Sequence, residues 1–246
     1  MRAPLGPPGG AAGAACVLVA AGSGTRLAAG RPKAFVPVGG RALLVHAAQG
    51  VASSGAVALL VAVVPAGLEG EARALLAAVP DLPALLVVAG GASRQDSAAA
   101  GLAAVPPEHD VVLVHDAARA LAPAALVSRV VEAVREHGRA AVVPAVPVHD
   151  TLRDVDGGVV DRSRLVAVQT PQGFSATALR RAHAAPATGE GATDDAGLVE
   201  ALGEAVHIVV GDPEAFKVTR PLDLLLAEAL LARRAAPLPA AEEEDA

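Results

Sequence analysis

Residues 20–33 read AAGSGTRLAAGRPK, a glycine-rich turn followed within ten residues by Lys33. Of the 20 basic side chains only Lys33 and Lys217 are lysines, and the remainder are arginines. A Gly-x-Gly turn lets backbone N–H groups approach an anion with no Cβ in the way. A lysine just beyond it adds a compact, mobile charge that an arginine fork does not reproduce. Two common phosphate motifs fail on residues: the dinucleotide fingerprint needs glycine where Leu27 stands, and the Gly-Lys-Ser/Thr of a P-loop is missing. The glycines alone fit a phosphate cradle or an ordinary strand-to-helix turn.

Three more clusters carry polar chemistry. Gly90-Gly91 lead into Ser93, Arg94, Asp96 and Ser97 at a helix start. The orphan N–H groups there suit an anion or the edge of a base, while a simple serine cap is the plainer reading. VHDAAR places His115, Asp116 and Arg119 at the end of an apolar run. A carboxylate leaving a buried strand can hold Mg²⁺ against phosphates or cap the next turn. His115 has no neighbour that would make it a base and reads as structural. Asp150-Thr151, Asp161-Arg162 and Gln169-Thr170-Pro171-Gln172 follow, and FKVTRP sets Lys217 just before a helix.

The elements that must position these residues are short apolar runs alternating with Ala/Leu-rich stretches of helical period. The pattern predicts strands at Cys16–Ala20, Ala56–Val64, Ala84–Ala89, Val111–His115, Ala140–Ala145 and Ala205–Val210. Helices are expected at Ala42–Ser53, Leu68–Val79, Arg94–Ala104, Pro123–His137, Ser175–Ala185, Asp194–Leu202 and Pro221–Arg233. Strands apolar throughout and separated by helices imply a mostly parallel α/β sheet covered on both faces. Ligands then bind beyond the carboxyl ends of the strands, where the clusters fall. Residues 147–168 break the alternation and read as an inserted hairpin arm turning at Asp156-Gly157-Gly158.

Composition narrows the partners. Four of the 26 acids (Glu242, Glu243, Glu244, Asp245) lie in a Pro/Ala-rich tail, residues 235–246, expected to be disordered. The other 22 face 20 bases, so the body has no global pull on nucleic acid, and a polyanionic ligand needs a local basic cluster. Tyr and Trp are absent, which leaves little to stack bases on. Cys16 is alone and the His show no metal-ligand spacing. Residues 1–16 faintly suggest an export signal, but their Pro and Gly content reads instead as a loose leader (1–14) on a cytoplasmic protein. Residues 15–234 are expected to form one domain.

Taken together, AAGSGTRL, RPK, GGASRQDS, VHDAAR, PVHDT, VDRSRL, QTPQGF, TDDA and KVTRP occur here in register. From Val17 to about Arg233 the chain resembles the 2-C-methyl-D-erythritol 4-phosphate cytidylyltransferase family. The resemblance implies a Rossmann-like nucleotidyltransferase fold with a β-arm that crosses a homodimer, and Mg²⁺-dependent transfer of a cytidylyl group from CTP to a polyol phosphate. It implies that Arg26 and Lys33 stabilise the transition state and that Ala20, Ala21, Gly22 and Gly24 wrap the nucleotide. Gly91 and Ser97 would read cytosine and ribose, and Asp116 would stand beside the metal. Thr151, Arg162 and Lys217, with Arg119, would position the substrate phosphate, the arm residues serving the partner's site. Ala34, Ala92, Ala120 and Ala215 depart from the family pattern, which bears on cytosine selectivity and on how the metal is held. Ribitol 5-phosphate cytidylyltransferases share many of these motifs and form the rival reading. Behind it stand sugar 1-phosphate nucleotidyltransferases, an NAD-dependent reductase and a non-catalytic nucleotide-binding module.

Overall fold

The structure, a computed structural model, describes residues 13–22, 24, 27, 30–186 and 194–236. Its elements begin with β1 (Ala14–Val19), a small hairpin of β2 (Pro37–Val38) and β3 (Arg41–Ala42), then α1 (Leu43–Ala52), β4 (Val57–Val64), α2 (Glu69–Leu76), β5 (Ala84–Ala89) and α3 (Arg94–Ala103). Next come β6 (Val111–Asp116), α4 (Ala124–His137), β7 (Ala141–Pro147), and the arm hairpin of β8 (Leu152–Arg153) and β9 (Val159–Val160). The chain closes with β10 (Val166–Val168), β11 (Gln172–Ser175), α5 (Ala176–Ala184), α6 (Asp195–Glu200), β12 (Val206–Val210) and α7 (Pro221–Ala235).

Eight of these strands form the main sheet. β1 lies at its centre, parallel to β4 on one side and β6 on the other, with β5 parallel beyond β4. β11 runs antiparallel between β6 and β7, β10 continues along the same side of β7, and β12 pairs parallel on the other side of β7. The mostly parallel sheet expected from the sequence is therefore present, with β10 and β11 running antiparallel within it. QGFS of β11 escapes the sequence reading because four residues with a glycine show no usable period.

Period-two alternation sends β1 in two directions. Cys16 and Leu18 pack with α1, α2 and α4 on one face, and Ala15 and Val17 with α3, α5 and α6 on the other. Both faces are covered, so β1 and β4 carry no polar side chain. β1 starts at Ala14, inside the expected leader. Helix ends follow local chemistry: Ser175 caps α5 through the Ala178 N–H, Gly138 ends α4 at φ 57°, and Pro221 opens α7.

The expected arm at 147–168 is shorter in the structure. Pro147 and Val166–Val168 belong to the main sheet, because β10 pairs with β7 through Val166↔Pro147 and Val168↔Ala145. Only the segment between them projects, carrying the β8–β9 ladder and the turn at Gly157 and Gly158. A third apolar cluster (Val36, Val38, Leu43, Leu121, Val218 and Ala227 among it) packs α7 onto the β2–β3 hairpin. It joins the chain just after Lys33 to the chain just after Lys217, fixing both lysines to one body.

Gly173 of β11 lies under α4. A Cβ there would stand 2.5 Å from Val130 Cγ1 and 3.0 Å from Val134 Cγ2. We expect Gly173→Ala to lose about 1–3 kcal/mol through overpacking, read as a lower denaturant midpoint at unchanged slope. An unchanged midpoint would contradict this packing.

Candidate active site

At the carboxyl end of the sheet the chain opens into a cleft of about 480 Å³, in the size range of small-molecule sites. It lies where the connections from β1 and β6 leave in opposite directions, the switch point at which open α/β sheets bind ligands. Ala20, Ala21, Gly22, Gly24, Lys33, Gly91, Ser97, Asp116 and Lys217 all line it. Nine of the residues singled out in the sequence thus converge, although they come from segments almost 200 positions apart.

The first turn leaves β1 at Val19, and the Ala20 N–H donates to Val63 O at 2.7 Å. Gly24 has φ 68°, and a Cβ there would lie 2.4 Å from Lys33 Cβ. Glycine is required on both counts, because any side chain would push away the lysine it packs against. The second turn is tied to α3 by its serines. Ser93 caps the helix in a capping box with Asp96, and the Ser97 hydroxyl accepts from the Gly91 N–H at 3.2 Å and donates to Ser93 O at 2.8 Å. The cap read from the sequence is real, and Ser97 is a fastener of the glycine turn as well as a cleft residue.

Asp116 is the electrostatic centre. Its side chain is buried, with Arg94 Nε 3.1 Å from Oδ1 and Lys217 Nζ 2.6 Å from Oδ2. Burial opposes the charge, but Arg94 and then Lys217 outweigh it and hold the carboxyl down at about 2. The Asp116 N–H donates to Thr170 Oγ1 at 3.0 Å, and Thr170 Oγ1 lies 2.9 Å from His115 Nδ1. Arg94 reaches onward to buried Asp195 (Nη1 to Oδ2, 2.8 Å), whose other oxygen meets His183 Nε2 at 2.9 Å. Asp223 fixes the Lys217 loop by accepting the N–H groups of Thr219 and Arg220 at 2.6 and 2.8 Å.

Gln169, Thr170 and Gln172 act as a clamp. Gln169 exchanges hydrogen bonds with the Asp212 backbone at 2.8 and 3.0 Å. Gln172 donates to Asp194 at 2.6 Å and accepts the Ala196 N–H at 3.2 Å. One buried segment thereby locates β6, the start of α6 and the approach to Lys217.

Other expected residues stand elsewhere. Thr151 and Arg162 sit on the exposed arm, outside the cleft of their own chain, with Arg162 Nη1 donating to His149 O. Arg119 also lies outside the cleft lining. Its guanidinium donates to Ala215 O at 2.8 Å and Val168 O at 3.0 Å, joining the arm base to the Lys217 loop, and its buried Nε has no partner. Arg26, the leader before residue 13 and the tail beyond 236 lie outside the described residues. The sequence reading gives no site role to Arg94, Thr170, Asp195 or His183, although the first three stand in stretches it singles out. One signal was available: an arginine in the first turn of a helix opposes the macrodipole and so calls for a carboxylate.

Among the described residues no three His, Cys, Asp or Glu side chains cluster to form a metal site made by protein alone. Asp116 suits a magnesium ion brought in by phosphates, since Mg²⁺ commonly uses one carboxylate with phosphate oxygens and water. Each Asp116 oxygen retains a lone pair after its bond to Arg94 or Lys217.

Arg94 and Lys217 on one carboxylate, Lys33 lining the same cleft and two glycine turns at a switch point suit a polyphosphate ligand, and the class they point to is that of a nucleotidyltransferase. The family model for 2-C-methyl-D-erythritol 4-phosphate cytidylyltransferase matches residues 14–233, and the chain belongs to that family. It is 55% identical over 222 residues to the enzyme of that name from Nocardia farcinica, covering 88% of this chain and 93% of the relative. It is 50% identical over 233 residues to that from Streptomyces coelicolor, covering 89% and 85%. A crystal structure of the Thermus thermophilus enzyme of that name superposes with a TM-score of 0.73 at 40% identity, covering 89% of this chain and 98% of that one.

His115 supplies a pH test. Burial pulls its pKa down to about 4, with Asp116 raising it and Arg119 lowering it. The folded state therefore favours neutral imidazole, and this stabilisation is full above about 6.5 and lost as pH falls through about 4. We expect about 3 kcal/mol of acid destabilisation in that window from this group, absent in His115→Gln. Denaturant titrations at pH 7, 5.5 and 4 would read it, and parallel losses in both proteins would contradict it.

Proposed function

We propose that the protein transfers the cytidylyl group of CTP to 2-C-methyl-D-erythritol 4-phosphate, releasing pyrophosphate and forming 4-diphosphocytidyl-2-C-methyl-D-erythritol, an isoprenoid precursor. The single observation that carries this is the convergence of Lys33, Lys217 and the two glycine turns around Asp116 in a chain of this family. A phosphate oxygen of the acceptor attacks the α-phosphorus in line, the bond from that phosphorus to the β-bridging oxygen breaks, and pyrophosphate departs with its electrons. Charge develops on phosphoryl oxygens, so the work is positioning and cationic stabilisation.

Lys33 stands against the glycine turn and stabilises the transition state together with Arg26. Backbone from Ala20 to Gly24 wraps the triphosphate, and Gly91 and Ser97 face the nucleoside. Lys217, relinquishing its bond to Asp116, grips the acceptor phosphate. Asp116 would hold Mg²⁺, which when bound screens the phosphate charge. Thr151 and Arg162 reach the cleft of a second copy, giving a functional homodimer; their exposure on the arm, away from their own cleft, supports this. Arg119 supports substrate positioning from a distance, through the arm base and the Lys217 loop. No helix among the described residues is long and apolar enough to cross a membrane. The relatives reported above carry the methylerythritol name, which favours that acceptor over ribitol 5-phosphate.

Pyrophosphate release with CTP and Mg²⁺ is the test, run with methylerythritol 4-phosphate beside ribitol 5-phosphate and a sugar 1-phosphate. We expect signal with the first acceptor, and signal with ribitol phosphate alone would overturn the acceptor. Lys33→Arg should lower kcat about 10²- to 10³-fold, the loss of one well-aimed transition-state donor (about 3–4 kcal/mol). Full activity in that variant would remove the argument for a point charge.

A further inference from the structure

We infer that Arg94 is a positioning residue for the transfer: its fork ties Asp116 to a buried anchor, Asp195, and so keeps Asp116 in place when Lys217 leaves it for phosphate. The inference rests on the reading of the reaction above and concerns a residue that this reading leaves without a role.

The geometry is that of a two-ended brace. Nε meets Asp116 at 3.1 Å and Nη1 meets Asp195 at 2.8 Å. Asp195 is fully buried at the start of α6, and His183 of α5 meets its remaining oxygen at 2.9 Å. The far end therefore cannot swing. Lys217 is different: its side chain is 41% exposed, against 29% for Arg94, and it ends in a mobile ammonium. In the free protein both cations hold Asp116, one per oxygen. A triphosphate or acceptor phosphate entering the cleft competes for Lys217. The carboxylate would then have lost one of its two cations as an anion arrives, and Arg94, anchored on Asp195, keeps it from turning aside. A planar guanidinium can serve two carboxylates at once; an ammonium at this position can reach one.

The test is a double-mutant cycle between Arg94→Lys and Asp116→Asn, read by kcat for pyrophosphate release, with thermal unfolding alongside. Arg94→Lys should lower kcat about 10- to 100-fold, the range for partners that orient a site residue. On the Asp116→Asn background the same change should alter kcat less than about twofold. A direct contact with substrate, or a purely structural role, would give the same loss on both backgrounds and overturn the inference, as would no loss from Arg94→Lys alone. If Arg94→Lys does not fold, Asp195→Asn, which removes the anchoring charge at constant shape, takes its place in the cycle. If the wild-type protein releases no pyrophosphate, the reading of the reaction falls. The brace is then decided by a crystal structure of the free Arg94→Lys protein at a pH above 5. Asp116 displaced from its present position supports it, and Asp116 unmoved overturns it.

Discussion

A carboxylate that is buried and still charged organises this molecule. Removing Asp116 from water disfavours its ionised form, and the protein restores that form by bringing Arg94 and Lys217 onto it from α3 and from the loop before α7. Every large element of the cleft is then under constraint. β6 must end at Asp116, α3 must begin at Arg94, and the Lys217 loop must cross the sheet end at the right height. Asp195, His183, Gln169, Thr170 and Gln172 hold those segments in turn. Half-satisfied, such a network costs more than an apolar core would; complete, it fixes a single arrangement.

That arrangement explains the unequal use of basic residues. Arginine serves where a fork must join two fixed acceptors: Arg94 between two carboxylates, Arg119 between two carbonyls. Lysine is kept where a charge lies against a glycine turn or must change partners. Lys33 packs on Gly24 so closely that a methyl group cannot intervene, and Lys217 lies half in solvent with its ammonium on Asp116. The third apolar cluster joins the segments bearing the two lysines, so neither is displaced independently of the other.

Much of this was legible in the sequence, and the exceptions have physical causes. Parallel strands buried on both faces announce themselves as apolar runs, as in β4, expected at Ala56–Val64 and formed by Val57–Val64; the half-exposed edge strand Ala84–Ala89 agrees with the reading to the residue. The glycine turns and the two lysines stand out by type. β11 was not visible because its glycine answers to Val130 and Val134, residues of a helix some forty positions earlier. The arm reads too long because the strand-like residues at its base, Pro147 and Val166–Val168, belong to the β7–β10 ladder of the main sheet. Asp195 stands in the TDDA stretch and His183 in a helix, neither with a local reason for its role, and only tertiary structure brings them to Arg94. Their importance is a property of distance in space, which no local pattern encodes.

The measurement that bears most directly on the account is a crystal structure of the protein with Mg²⁺ and CTP. The account predicts the triphosphate against Lys33 and the Ala20–Gly24 backbone, the metal beside Asp116, and both Arg94 hydrogen bonds retained while the Lys217 ammonium turns toward phosphate. A nucleotide seated outside this cleft, or Arg94 released from Asp116 in the complex, would contradict it.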